Sequence, residues 1–472
     1  MFRKYSCLIG FIVGLIIWQQ PGLGVAICLS LLVFLLIEVR KLIVIFFLIG
    51  LNIGFLRMTA ANYYWQSDTS LLNSQVNDYQ GLISQVPRQT TDAQWLTVKY
   101  TINNQSIKLL IKTSLYPVYQ RGQFISWHGQ YQLNSDSQQQ DYGNYLQSQG
   151  VVAVFFQPPI KLLISTPTNS WLDQLKEKSI SIIQRQMIEP ESSIMVAYFF
   201  GADDLIPRAW QDLYRRVGIS HVIAISGMHI MIMAMLLQKF LFYFFLSKKS
   251  SQIITMIFLV SYVLMIGNQA SALRALLMYV ILTIGQMLYR SSHNFYTLLI
   301  VAVLTLFWQP LLLFYDLGWQ LSFLAVAGLM FLTKYTQQIF FSTSTVAQTL
   351  AATLAAMIMT GPWLAYKFAG FSFLAPLANV LVIPAFDFLL SLGLISLLLS
   401  FLWPALGTVL LQICWQVIHR VNEIVFWLDK HLQFFWSFNQ PSLLMVTITY
   451  LLILLFINRL YIFSLIKKSQ LR

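Results

Sequence analysis

Apolar runs separated by short polar turns occupy most of the chain. They fall at about 5–19, 22–38, 42–57, 221–246, 252–267, 270–289, 295–313, 317–333, 346–366, 372–402, 404–428 and 442–463. A helix that crosses the hydrocarbon of a bilayer needs about 20 mostly apolar residues. The pattern therefore predicts a polytopic α-helical membrane protein of about 10–12 helices. Two runs are ambiguous. The run 372–402 carries Pro376 and Pro384. The run 404–428 carries Gln412, Gln416, His419, Arg420, Asn422 and Glu423, so it either lies along the interface or faces the bundle.

The pattern changes between 58 and 190, where Gln, Asn, Ser and Thr replace Leu and Phe. Residues 95–102 (WLTVKYTI) alternate apolar and polar, and 107–112 (IKLLIK) answer them after the turn Asn103-Asn104-Gln105. Another such run, 124–131, follows Gly122. Short alternating strands at close spacing predict a small barrel or sandwich over about 70–165. A helical stretch at 171–188 then returns the chain to the membrane. The resulting division is N-terminal transmembrane helices at 1–60, a β domain at 61–169, an amphipathic linker helix at 170–192 and a transmembrane domain at 193–472.

Composition agrees. Of 472 residues, 57% are hydrophobic and 10% charged, which excludes an ordinary soluble enzyme and a disordered binding protein. The net charge is +13, from 30 Lys+Arg against 17 Asp+Glu. In a membrane protein such an excess belongs first to cytoplasmic loops. Arg3, Lys4, Arg40, Lys41, Lys248, Lys249, Arg290, Lys334, Lys467 and Lys468 fit that side, and the turns at 19–24, 267–271 and 314–318 carry no Lys or Arg. Both termini are then expected in the cytoplasm, and the third helix leads outward, which makes the β domain extracytoplasmic. The N-terminal run has no small-x-small cleavage site and reads as a retained span. The three cysteines, Cys7, Cys28 and Cys414, all lie in apolar runs, so no C-x-x-C zinc or redox motif is present.

Polar residues inside the apolar runs are the candidates for chemistry, because such groups are costly in lipid and face a cavity or a partner. The segment 218–230 places His221, Ser226 and His229 where the chain re-enters the membrane, with Ser226-Gly227 as a helix break. The bland alternative is a Ser/Gly packing contact with the histidines near the headgroups. Eight residues of helix separate the histidines by about 12 Å, too far for one ion, and no H-E-x-x-H occurs, so no metal is expected. Ser226 and His229 at i,i+3 form a conceivable nucleophile pair without an orienting carboxylate. Arg274 sits between two apolar runs, either snorkelling to the interface or lying on a polar path toward phosphate or carboxylate. Asp316 stands at the start of a run that continues with Gln320 and Ser322; it caps the helix, pairs with Arg274 or contacts substrate. Asn379 and Asp387 flank Pro384, either at a Pro-broken pathway or at an ordinary kink.

The outer domain offers a basic strip, Lys99, Lys108, Lys112 and Arg121, interleaved with Trp95, Tyr100 and Trp127. Cations beside stacking rings suit sequence-neutral binding of single strands. They also suit an ordinary strand core with solvated lysines, and the region is only weakly basic overall, six Lys+Arg against five Asp+Glu over 62–168. No G-x-x-x-x-G-K-[ST] nucleotide loop and no H-x-H-x-D-H cluster occur. Neither catalytic residues nor cofactors are therefore expected on the chain.

Gly218-Ile-Ser220-His221-Val-Ile-Ala224-Ile-Ser226-Gly227-Met-His229 resembles the core motif of the ComEC family of competence DNA-uptake channels, G-L-S-H-L-L-A-I-S-G-L-H. Three further segments agree in order. Ser271-Ala-Leu-Arg274-Ala275 resembles the family's S-x-x-R-A. Asp316-Leu-Gly318-Trp-Gln320-Leu321-Ser322-Phe323 resembles its D-x-G-F-Q-L-S-F. Ala378-Asn379-Val-Leu-Val-Ile-Pro384 resembles its A-N-x-x-x-x-P. In the outer domain, Asp141-Tyr142-Gly-Asn-Tyr145-Leu146-Gln-Ser-Gln-Gly150 resembles its F-D-Y-x-x-Y-L-x-x-x-G.

The resemblance implies an OB-like extracytoplasmic β domain and a multi-helix competence domain in the bacterial cytoplasmic (inner) membrane. It implies a channel that passes single-stranded DNA inward during natural transformation. The implied partners are single-stranded DNA, a periplasmic or surface DNA receptor, a cytoplasmic DNA-handling or helicase protein, membrane lipid and a further copy of the chain. Relatives often carry a metallo-β-lactamase-like domain after the last span. With the chain closing at Arg472, a separate nuclease is expected. The family's G-D-R-type stretch reads Gly201-Ala202-Asp203-Asp204 here, without the arginine. Two rival readings follow from the residues alone: a secondary transporter of a small anionic solute, and an intramembrane hydrolase using Ser226 and His229.

Overall fold

The computed structural model describes residues 6–19, 41–72, 78–90, 92–102, 105–133, 140–164, 170–267, 269–289, 294–340, 344–432, 435–437 and 439–470. The expected run at 22–38 with Cys28, the Asn103-Asn104 turn, Asn268, and the topology markers Arg3, Lys4, Arg40 and Arg290 lie outside the described residues. The chain divides into two compact units, Met1–Glu177 with Leu241–Trp319, and Lys178–Phe240 with Gln320–Arg472.

In the first unit α1 (Ser6–Gln19) packs along α2 (Lys41–Leu72). The approach is close enough that a Cβ on Gly14 would strike the Leu51 carbonyl and a Cβ on Gly54 the Phe11 carbonyl. Small residues at facing positions let apolar helices meet backbone to backbone where no hydrophobic effect drives them together. The domain boundary expected at 60 falls inside α2, because no Gly or Pro interrupts the helix between Arg57 and Leu72. At 32 residues α2 exceeds a single crossing, and its last turn reaches the β domain, where Tyr131 donates to the Leu72 carbonyl at 2.6 Å.

The β domain contains β1 (Asp78–Ile83), β2 (Arg88–Gln89), β3 (Gln94–Ile102), β4 (Gln105–Thr113), β5 (Phe124–His128), β6 (Tyr131–Leu133), the helix α3 (Gln140–Ser148), β7 (Val151–Phe156) and β8 (Ile160–Ile164). The sheet runs β6-β7-β4-β3-β1-β5-β8, with β2 on β3. The pair β4–β7 is parallel and the others are antiparallel. The alternation seen in sequence sets the inward face: Leu96 and Val98 lie opposite Ile111 and Leu109, and all four are buried. Ile83, Ile125 and Phe155 complete that core. On the other face, Leu146 of α3 packs with Val151, Val154, Trp95 and Leu110.

The helices that follow are α4 (Trp171–Gln186), α5 (Glu191–Phe200), α6 (Arg208–Val217), α7 (Ser220–Ile223), α8 (Gly227–Tyr243), α9 (Lys248–Ile266), α10 (Ala270–Met287), α11 (Asn294–Trp308), α12 (Leu312–Tyr315), α13 (Leu317–Ile339) and α14 (Thr345–Phe368). A short strand β9 (Gly370–Ser372), α15 (Ala375–Leu402), α16 (Pro404–Leu432), β10 (Phe435–Ser437) and α17 (Leu443–Gln470) complete the chain. Among the described residues, α9, α10, α13, α14 and α15 are long and apolar enough to cross a membrane, and α8, α11 and Leu443–Ile457 are shorter apolar helices. A mostly helical, multi-pass membrane architecture with a β domain inserted early in the chain results.

Three local outcomes matter for the site. The apolar run at 221–246 is split into α7 and α8 by Ala224–Ser226. The helix α5, absent from the sequence reading, is buried along its whole length because its apolar run is too short to span and serves as core. The break expected at Pro384 does not occur, since α15 continues through it for 28 residues. Membrane helices tolerate an internal proline where neighbours satisfy the freed carbonyl.

Candidate functional site

In the second unit the chain turns into the membrane domain at Gly218. Its φ of +88° closes α6 in the left-handed conformation. A Cβ there would also meet Ala375 and Ser372, so this glycine allows β9 and the start of α15 to approach. After α7, Ser226 precedes the first residue of α8 and His229 follows three positions later. Ser226 N–H donates to His229 Nδ1 at 3.2 Å, and Ser226 Oγ lies 3.2 Å from the same nitrogen. This is one half of a capping box, with an imidazole where Glu or Gln usually reaches back. Nδ1 as acceptor places the ring proton on Nε2. The His229 ring is fully buried, 4.3 Å from the Tyr198 ring, and Tyr198 in turn donates to the Phe386 carbonyl at 2.8 Å. His229 is thus wedged against α5 and, through Tyr198, α15. His221 sits exposed on α7.

Two further nominated residues lie in the second unit. Gln320 Oε1 accepts from Trp363 Nε1 at 2.6 Å. Asn379 Nδ2 donates to Thr353 Oγ1 at 3.4 Å, and its Oδ1 is buried without a hydrogen-bond partner among the described residues. Asp387 Oδ1 is in the same condition one helical stretch further on, past Pro384.

The first unit holds the other centre. Asp316 is extended (φ −101°, ψ 100°) immediately before α13, and its Oδ1 accepts from Trp319 N–H at 2.6 Å. This is an N-cap bond, favoured also by the positive end of the helix. Its Oδ2 accepts from Gln149 Nε2 at 3.2 Å. Trp319 Nε1 donates to Thr305 Oγ1 at 3.0 Å, which ties the first turn of α13 to α11. Arg274, 2% exposed, reaches from α10 to donate Nη2 to the Gly318 carbonyl at 2.9 Å. Its Nε and Nη1 are buried with no hydrogen-bond partner among the described residues. A buried guanidinium with two unused donors is costly unless an anion can reach it.

The basic strip of the β domain is dispersed by the fold. Tyr100 and Trp127, at 8% and 2% exposure, belong to the core and do not offer stacking faces. Their strand positions share the inward face, and Tyr79 stacks on Trp127 at 5.7 Å. Lys108 donates to the Gln149 carbonyl at 3.0 Å, and burial lowers its pKa. Arg121 is paired with Asp173 at 3.4 Å. Lys112 lies 5.5 Å over the ring of Trp95, and Lys99 is exposed on the same outward face. The outward strip therefore reduces to Lys99, Lys112 and the half-buried Trp95.

The structure brings Arg274 and Asp316 to one place and Ser226 and His229 to another. Sequence reasoning missed Gln149, Thr305, Trp319, Tyr198 and Trp363. Gln149 and Trp319 carried a signal, since each lies inside one of the quoted segments, Gln149 before Gly150 and Trp319 between Gly318 and Gln320. Residues 198–461 match the family model described as Competence protein. ComE operon protein 3 of Bacillus subtilis (strain 168) is 26% identical over 226 residues, covering 47% of this chain and 29% of that protein. The chain thus matches less than a third of the length of that curated relative. No solved structure matches the chain.

Proposed function

Since the chain belongs to the Competence protein family, we propose that it conducts single-stranded DNA across the bacterial cytoplasmic membrane during natural transformation. The observation that carries this reading is Arg274, buried beside the capped start of α13 with Nε and Nη1 unpaired among the described residues. A strand with one phosphate per nucleotide needs fixed donors along a polar path, and a guanidinium meets phosphate through two parallel bonds. Asn379 Oδ1 and Asp387 Oδ1 are further polar atoms in membrane helices that lack partners among the described residues. Outside the membrane, Lys99 and Lys112 supply positive charge beside Trp95, which suits collection of a nucleic acid strand. No catalytic step is assigned to the chain in this reading.

The test is uptake of labelled DNA by competent cells lacking this gene. DNA that becomes resistant to external nuclease yet never reaches the cytoplasm is the expected result. Normal transformation in a strain without a second copy overturns the reading. An Arg274 that serves a small anionic solute instead would leave transformation intact and abolish accumulation of that solute.

A further inference from the structure

The turn between α3 and β7 is joined to the start of α13 by side chains that strand conduction does not employ. Gln149 Nε2 donates to Asp316 Oδ2 at 3.2 Å. Gln309, just after α11, donates to the Ser148 carbonyl at 2.8 Å. Lys108 on β4 holds the Gln149 carbonyl at 3.0 Å. Gly150, with φ +75°, completes the turn in a conformation that favours glycine. From Asp316 the connection continues through the Trp319 amide to the first turn of α13, where Gly318 offers its carbonyl to Arg274. One polar chain thus runs from the sheet of the outer domain to the buried guanidinium.

We propose that Gln149 is a positioning residue, which acts through Asp316 to set the first turn of α13 and with it the Arg274 guanidinium. This rests on the reading of Arg274 as a phosphate contact. The amide suits the task. It adds a donor to the carboxylate without adding a positive charge, so it does not compete with Arg274 as a counterion. Asp316 serves as the joint because its two oxygens face different elements, one the α13 backbone and one the outer domain.

Hydrogen exchange of the full chain in lipid, read on peptides covering 316–321, tests the link without reference to DNA. Gln149→Leu is expected to raise exchange there about tenfold, the effect of losing one bond to a charged group, while β3 and β4 keep their protection. Gln149→Glu with Asp316→Asn remakes the bond with reversed polarity and keeps a capping oxygen, and is expected to restore the protection. DNA uptake then separates positioning from simple docking. If Gln149 acts through Arg274, uptake in Gln149→Leu with Arg274→Lys is no lower than in Arg274→Lys alone. Losses that multiply overturn the proposal, as does unchanged exchange at 316–321 in Gln149→Leu. Raised exchange in a protein whose gene deletion leaves transformation normal keeps the link through Asp316 and sinks the uptake reading instead.

Discussion

Two membrane-domain helices begin with mirror-image caps. At α13 the residue before the helix, Asp316, accepts the amide three positions on. At α8 the residue three positions on, His229, accepts the amide of the residue before the helix, Ser226. Both satisfy a donor that the helix itself leaves unpaired. The difference lies in what remains. Asp316 has a second oxygen, and it reaches Gln149 on another domain element within the same unit. His229 has Nε2, which is buried without a hydrogen-bond partner among the described residues, in a ring packed on Tyr198. A cap with a second oxygen that meets another element can connect elements; a cap enclosed by an aromatic ring holds its own turn. The same contrast separates Arg274, which has two donors unused among the described residues, from Ser226, whose hydroxyl is already beside the imidazole.

The largest expected effect sharpens the contrast at Arg274. Arg274→Met removes a buried cation with two groups unpaired among the described residues, which offsets the lost bond to the Gly318 carbonyl, so membrane levels and thermal stability stay within about 2 kcal/mol of the parent. Uptake into the cytoplasm falls about a hundredfold, as loss of two charge-assisted donors requires. A parallel fall in protein level would mean that Arg274 is structural. Asp316→Ala comes next. It loses the cap and the Gln149 bond together, a destabilisation of about 2–4 kcal/mol in thermal unfolding, and Asp316→Asn recovers most of it.

At the other cap, His229→Ala opens space against Tyr198 and frees the Ser226 amide, costing about 2–3 kcal/mol. His229→Gln, the usual residue at that position of a capping box, restores stability to within about 1 kcal/mol and preserves uptake. Uptake lost in a stable His229→Gln protein, with Ser226 labelled by a serine-reactive probe in the parent and not in this variant, would return the hydrolase reading. The smallest effect belongs to the outer domain. Lys112→Ala removes one half-buried charge and lowers uptake about twofold to threefold, more at low ionic strength than at high.

Legibility followed the range of the forces. The strands β3 and β4 were readable from alternation, and so were their inward positions Leu96, Val98, Leu109 and Ile111. The same alternation places Tyr100 inward, yet the interleaving of aromatics with lysines pointed to a binding strip. Three-dimensional closure decided that Trp127 and Tyr100 fill a core. Residue type marked Arg274 and Asp316 as unusual in an apolar setting, but not which of their atoms are occupied. The interruption of the run at 221–246 was visible because Ser226 and Gly227 are weak helix formers, but it falls at Ala224–Ser226 and Gly227 opens α8. Pro384 carried the same kind of signal without the same outcome, because neighbouring helices settle whether a membrane proline ends a helix.

What the amino-acid sequence determined by itself is the part governed by local periodicity and solvent: a multi-pass helical chain, an inserted polar domain of alternating strands, and helix starts marked by Asp316 and Ser226. Those follow from backbone hydrogen bonding and transfer free energy over a few neighbouring residues. Only the tertiary structure decided that Gln149 meets Asp316 across 167 residues of chain, that Lys108 and Arg121 are taken by internal partners, and that Arg274 has two donors without partners among the described residues. Pairings of that kind depend on which surfaces come together when each element buries its apolar face, and no local pattern records them.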